Sequence, residues 1–390
     1  MFLTSLIIST ILMKSWALDD VTTNIVSAQG YPMEKHGVET SDGFKITMHR
    51  IPFSYTKVLQ DGNPKKSILL VHGILCSSAM WVTNMNNNAT ALAFLLSDAG
   101  YDVWMLNVRG TEASMGHTKL NIDDPKFWDF SWHEMGMEDI PAAIDYILRK
   151  TERQKIHYVG HSQGCTALLV TLSMRPEYNE KIASAYLLSP AAFMQNIRGL
   201  VPSLLGKRRS NTLSKTLDRL GWHAIVVHNN TFSDHIRSVC GNSQLSRVCA
   251  NMMVNMIGQP AENVDKKQLL AFLFKLVGDN SSLKQFTHYV QMMRSAKFQM
   301  YDYGTEENIK IYQSDDPTEY NLTQITVPMT IWRAEHDPLS TEKDLEILSD
   351  QLQNAQPVVV MPGNHVDYIF EPNSITTIKD YMLETMENVV

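Results

Sequence analysis

One stretch limits what this chain can become more than any other: Ile156-His157-Tyr158-Val159-Gly160-His161-Ser162-Gln163-Gly164-Cys165. Its first part is a short β-branched and aromatic run, the pattern of a buried strand. The run that begins at Cys165, CTALLVTLSM, is apolar and reads as a helix. Between them Gly160 and Gly164 flank Ser162 in a G-x-S-x-G arrangement. Two residues without side chains let a strand turn sharply into a helix, which leaves Ser162 strained and exposed at the turn. A hydroxyl presented in this way is placed to act as a nucleophile.

The pattern around this turn is that of an α/β domain. Gly43 to Ile51 alternates as an antiparallel edge strand would. Ser67 to Gly73 and Tyr101 to Asn107 are continuous apolar runs separated by a helical segment near Ala89 to Ala99. A helix from about Met137 to Lys150 leads into the Ser162 strand, and Ala183 to Pro190 supplies another strand. Apolar strands alternating with helices imply a parallel sheet covered on both faces. From about Ala191 to Tyr320 the chain gives Leu-, Met- and Phe-rich helical stretches, including Gln268 to Val277 and Phe286 to Met300, with no clear sheet strand. Strands resume at Val327 to Trp332 and Pro357 to Met361, before a last helix near Ile375 to Met386. The expected organisation is a core of residues 18–190 and 321–390, interrupted by a helical cap over residues 191–320. Met252, Met253, Met256, Met292 and Met293 in the cap are candidates for an adaptable apolar lining or for ordinary helix core.

At 390 residues, 44% hydrophobic and 19% charged, the chain is an ordinary globular one. A formal net charge of -7 without a long basic run argues against a nucleic-acid partner and against strong attraction to anionic lipid, so any lipid contact has to be hydrophobic. Residues 1–17, MFLTSLIISTILMKSWA, are too short to span a bilayer comfortably and end in small residues, as a cleaved signal peptide does. An uncleaved anchor or a buried first strand is the alternative, and no other stretch has the look of a membrane span. Cys240 and Cys249 sit close together in a polar segment where a secreted protein can bridge them, while Cys76 and Cys165 lie in core-like runs. Sequons at Asn88, Asn229, Asn280 and Asn321 fit a secretory route with glycosylation.

A serine hydroxyl needs a histidine to take its proton and a carboxylate to hold that histidine's tautomer. Where a G-x-S-x-G turn is used, the acid and then the histidine follow it in the chain, on loops after later strands. Asp337 follows one late strand and His365 the next, which makes Ser162, Asp337 and His365 the candidate triad. Glu335 competes for the acid's place, Asp337 is also placed to cap a helix starting near Ser340, and Asp367 suits a local hydrogen bond. The oxyanion of a tetrahedral intermediate needs backbone N–H donors. Gln163 offers one, and the loop His72-Gly73-Ile74-Leu75 offers the other, with Ile74 preferred and Leu75 second. His72 is assigned to shaping that loop, since no zinc-like ligand cluster accompanies it.

With these pieces placed, the sequence resembles the acid lipase family of gastric, lingual and lysosomal lipases, in its insect lipase 3-like branch. The segments that carry the resemblance span nearly the whole mature chain: Gly30-Tyr31-Pro32 with Asp42-Gly43, VHGILCSSAMWV, AGYDVWMLNVRG, FWDFSWHEMGMEDIPAAIDYI, GHSQG, KQFTHYVQMMRSAKFQMYDYG and GNHVDYIF. The resemblance implies an α/β-hydrolase fold with an inserted cap carrying a lid within about residues 195–265. It implies Ser162, Asp337 and His365 as triad, Gln163 and Ile74 as oxyanion donors, and Cys240 with Cys249 as a disulfide. NVRG in place of the usual NSRG, and a poor match from Arg198 to Ala261, are the departures.

The expected activity is that of a secreted serine lipase acting on triacylglycerol-type neutral lipid at a lipid–water interface, as a monomer, with neither metal nor organic cofactor required. A steryl esterase, secreted or lysosomal, needs the same triad and differs only in cap shape. A lipid carrier on a retired hydrolase fold has no need of an intact triad, and this chain keeps all three residues in order.

Overall fold

The structure is a computed structural model that describes residues 20–55, 66–85, 87–199, 221–225, 240, 245–276 and 279–387. Residues 1–17, Asn229 and most of the expected lid therefore lie outside the described residues.

The strands form where the apolar runs stand. β1 (Glu34–Glu39) and β2 (Phe44–Ile51) are antiparallel, and β3 (Ser67–Val71) and β4 (Asp102–Asn107) are buried at every position. A short β5 (Gly116–His117) pairs with β2; β6 (Ile156–His161) and β7 (Ile182–Leu188) follow. β8 (Ala224–Ile225) and β9 (Ser281–Ser282) form a separate two-stranded ladder, and β10 (Met329–Ala334) and β11 (Val359–Met361) return to the main sheet. That sheet has nine strands in the order β1-β2-β4-β3-β6-β7-β10-β11, with β5 attached beside β2. From β4 to β11 the pairing is parallel, as strands buried on both faces require.

Helices cover both faces. On one side lie α1 (Val21–Ala28), α2 (Leu92–Asp98) and the last helix, while α3 (Ile140–Thr151) and α4 (Gln163–Met174) lie on the other. Alternation along a strand divides the core accordingly: Ile68 and Leu70 pack with Phe94 and Leu96, whereas Leu69 and Val71 pack with Ile144 and Leu168. α4 is buried from Gln163 to Ser173, which explains why its sequence is apolar on every side. Between β7 and β10 come α5 (Ser246–Ile257), α6 (Lys266–Leu276) and α7 (Leu283–Ser295). A further eight-residue helix, Thr305–Tyr312, precedes β10, and α8 (Glu342–Gln351) and α9 (Pro372–Glu387) come after β10 and β11.

Most expected elements are present with shifted ends, and four readings change. β2 is not the edge, because β1 lies outside it. The insertion does hold strand, the β8–β9 ladder. The expected helix from Phe286 to Met300 starts earlier and ends at Ser295, where Ala296 turns left-handed at φ 58°. Asn280 is buried, with 4% exposure, and its Nδ2 donates to Met115 Sδ, so the folded chain has no room for a glycan there. Asn321 is exposed in a turn closed by its own Oδ1.

Cys240 and Cys249 form a disulfide, with Cα atoms 5.7 Å apart, and Cys76 and Cys165 are free and buried. Of the cap methionines, Met292 is fully buried in the core, while Met252 and Met256 are exposed.

Candidate active site

The sheet register brings the loops of interest to one edge. Val71 of β3 pairs with Gly160 of β6, His161 with Leu188 of β7, Leu188 with Trp332 of β10, and Ala334 with Met361 of β11. The residues that follow these strands, from Gly73 and Ser162 to Ser189, Asp337 and His365, therefore emerge side by side. β3 sends its successor β4 to one side while β6 lies on the other, so the strand order switches at β3, where open α/β sheets form their crevice.

Ser162 stands at that switch with φ 51° and ψ −111°, a backbone that side chains rarely adopt, and at 8% exposure it is buried rather than exposed as expected. Its amide donates to Leu188 O at 2.9 Å, which ties the turn to β7. The flanking glycines are required by contact: a Cβ on Gly160 would lie 2.7 Å from Cys165 N, and one on Gly164 would lie 2.3 Å from Val71 O. Gly73 faces the serine as well, where a Cβ would come within 3.2 Å of Ser162 Cβ.

Asp337 and His365 meet as their chain order suggests. His365 Nδ1 donates to Asp337 Oδ2 at 2.8 Å, which leaves Nε2 as the basic nitrogen. The other carboxylate oxygen accepts from Leu339 N at 2.8 Å and Ser340 N at 3.0 Å. Burial pushes the Asp337 pKa up, but the charge and hydrogen bond of His365, with the bonds from Ser189 and the Ser340 amide, outweigh it and hold the pKa below the usual value. Glu335 is exposed, and the cap of α8 is Thr341 rather than Asp337. His161 Nε2 donates to the backbone oxygen of His365 at 2.8 Å, linking the histidine loop to the residue before Ser162. Burial, helped by the nearby His365 charge, lowers the His161 pKa to about 3, so this ring stays neutral.

The loop after β3 is a tight turn. Cys76 N donates to Gly73 O at 3.3 Å across Ile74 and Leu75, and Leu75 is left-handed at φ 59°. His72 Nδ1 donates to Gly73 O at 2.8 Å and its Nε2 accepts from Val108 N at 3.3 Å. Burial takes the His72 pKa down to about 4, so it shapes this loop as a neutral ring. Gln163 is the first residue of α4, and the first amides of a helix have no intrahelical acceptor. Asp367 Oδ2 accepts locally from Asn364 N at 3.0 Å and, across the fold, from Ala261 N of the insertion at 2.8 Å.

Sequence reasoning missed Ser189. It is left-handed at φ 51° and its hydroxyl donates to Asp337 Oδ2, while the Tyr368 hydroxyl sits 2.8 Å from it. No motif marks Ser189; its place after a sheet strand was the one available signal. Among the described residues no cluster of His, Cys, Asp or Glu is suited to hold a metal ion.

A model described as a partial alpha/beta-hydrolase lipase region matches residues 22–85, and one for the alpha/beta hydrolase fold matches residues 66–228. Lipase 3 of Drosophila melanogaster is 36% identical, over 93% of this chain and 92% of that protein. Gastric triacylglycerol lipase of Bos taurus is 33% identical, over 89% of this chain and 86% of its own length. Lipase member K of Homo sapiens is 31% identical, over 94% of this chain and 90% of its length. Among solved structures, a protein from Sulfolobus solfataricus superposes with a TM-score of 0.60 at 15% identity, covering 91% of this chain and 93% of that one. A thermophilic esterase from Thermogutta terrifontis gives 0.51 at 14% identity, covering 91% and 99%; likeness at this level concerns the fold alone.

Proposed function

Because this chain belongs to the acid lipase family of α/β-hydrolases and is a carboxylic ester hydrolase, we propose that it cleaves triacylglycerol-type neutral lipids through Ser162, His365 and Asp337. The observation that carries the assignment is the 2.8 Å bond from His365 Nδ1 to the buried Asp337. It leaves His365 Nε2 able to accept the Ser162 proton as Oγ attacks the ester carbonyl. The carbonyl oxygen, now an anion, is met by the amides of Gln163 and Ile74. His365 returns the proton to the departing alcohol, and water, deprotonated by the same nitrogen, releases the acid from Ser162.

The insertion between β7 and β10 serves as the cap over this crevice, with the core on either side of it. Residues 1–17 are read as a signal peptide and the mature protein as secreted and monomeric, with glycans on Asn88, Asn229 and Asn321. Among the described residues no helix is long and apolar enough to cross a membrane.

The test is hydrolysis by the purified mature protein of a long-chain triacylglycerol, a cholesteryl ester and a short soluble ester, with Ser162→Ala alongside. Triacylglycerol turnover that disappears in the variant is expected. Preference for the cholesteryl ester would make the enzyme a steryl esterase, and activity retained by Ser162→Ala would remove the triad.

A further inference from the structure

The elbow glutamine is held from outside the core. Gln163 is buried at 3% exposure, and its side-chain Nε2 donates to Oε1 of Gln285 on α7, itself 1% exposed. Gln285 Nε2 in turn donates to Ser281 Oγ at 2.8 Å in β9, and the Gln285 amide reaches Ser282 Oγ, the cap of α7, at 3.4 Å. Two primary amides are thus buried face to face between the nucleophile turn and the insertion. An amide buried without a partner costs about 1–3 kcal/mol, so each fixes the other's orientation. The same segment also reaches the second side of the oxyanion pocket. Asp279 N donates to Leu75 O at 3.0 Å, and Asp279 Oδ1 accepts from Glu112 N and Asn280 N, each at 2.7 Å.

We propose that Gln285 is a positioning residue for the oxyanion hole: through the Gln163 side chain it sets the direction of the Gln163 amide, while Asp279 of the same segment fixes the Ile74–Leu75 turn. The inference rests on the assignment of Ser162 as nucleophile and of Gln163 and Ile74 as donors. It makes residues 279–285 a working part of the hydrolytic machinery rather than only a roof. The chemistry follows from where charge develops. Both donors must lie about 3 Å from an oxygen that becomes anionic only in the transition state, so a small tilt of either weakens that state more than it weakens substrate binding.

The experiment uses p-nitrophenyl butyrate as soluble substrate and butylboronic acid as a mimic of the tetrahedral state, with Gln285→Met, Gln163→Met and the double variant. Turnover is expressed per site titrated with a fluorophosphonate, and thermal unfolding is followed in parallel. Since deleting an oxyanion donor typically lowers kcat about 100- to 1000-fold, mis-aiming one is expected to lower it roughly ten- to a hundredfold. KM should stay within about twofold, boronate affinity should fall in step with kcat/KM, and the double variant should be no slower than the slower single one. Per-site kcat near wild type, or effects that multiply in the double variant, would overturn the proposal. If Gln285→Met does not fold, Ser281→Ala removes the hydroxyl that receives Gln285 Nε2 and carries the same test, with a smaller fall in kcat expected and an unchanged kcat overturning it. Activity in Ser162→Ala would instead strike the underlying assignment, and the two failures are thereby told apart.

Discussion

Replacing Asp337 by Asn tests the proton-transfer geometry while barely changing the shape of the site. Asp337 Oδ1 accepts two backbone amides, from Leu339 and Ser340. The Asn oxygen has to stay there, which turns its NH2 group toward Ser189 and His365. An N–H then faces His365 Nδ1, which can accept it only in the tautomer that carries its proton on Nε2. That tautomer cannot take the Ser162 proton. Where an orienting carboxylate has been neutralised in this way in a serine protease, kcat falls about 10⁴-fold, equivalent to about 5.4 kcal/mol of transition-state stabilisation at 1.36 kcal/mol per decade. A loss of that order is expected here, since His365 Nδ1 has the same partner and the site is buried. The assay is kcat on a soluble ester from pH 5 to 9, with thermal unfolding to establish that the variant is folded. A folded Asp337→Asn enzyme within tenfold of wild type would refute the reasoning and return Glu335 or another carboxylate to consideration.

Other consequences follow from buried charge and from accessibility. Arg109, 1% exposed, pairs with Asp42 at 2.6 Å and with the fully buried Asp139 at 2.7 Å, so Arg109→Met strands a buried carboxylate. It should cost about 3–5 kcal/mol in urea unfolding, and a loss under 1 kcal/mol would show the network to be dispensable. Burial pushes the Asp367 pKa up to about 6, against the partial opposition of the Ala261 and Asn364 amides. A carboxyl whose folded pKa exceeds its unfolded value of about 3.9 binds protons more tightly when folded, so its contribution to stability falls as pH rises from about 4 to 6. The size is up to ~3 kcal/mol, and Asp367→Asn should flatten unfolding free energy across that window; an unchanged slope would contradict it. Exposed Asn321 and buried Asn280 predict opposite glycan outcomes: secreted Asn321→Gln should lose the mass of one glycan, and Asn280→Gln should keep the wild-type mass.

Much of the sheet was readable because its strands are buried on both faces, which leaves apolar runs such as SILLV and DVWMLN that few other elements explain. The edge position of β2 was misread because alternation reports one covered face and does not say whether another strand, here β1, lies beyond. Asn280 was misread for a similar reason: a triplet of residues carries no information about burial.

By itself the sequence determined the turn at Ser162, since Gly160 and Gly164 are the residues that a contact of 2.3 to 2.7 Å at Cβ demands. It also determined the order of Ser162, Asp337 and His365 along the chain. Tertiary structure decided which atoms meet. The selection of Asp337 over Glu335, the Ser189 hydroxyl against that carboxylate, and the Gln163–Gln285 pair all depend on strand register and on the packing of an insertion against the core. The partners are separated by 28, 148 and 122 residues. Over such distances local pattern has no hold, and direction is set by the sheet that brings the loops to one edge.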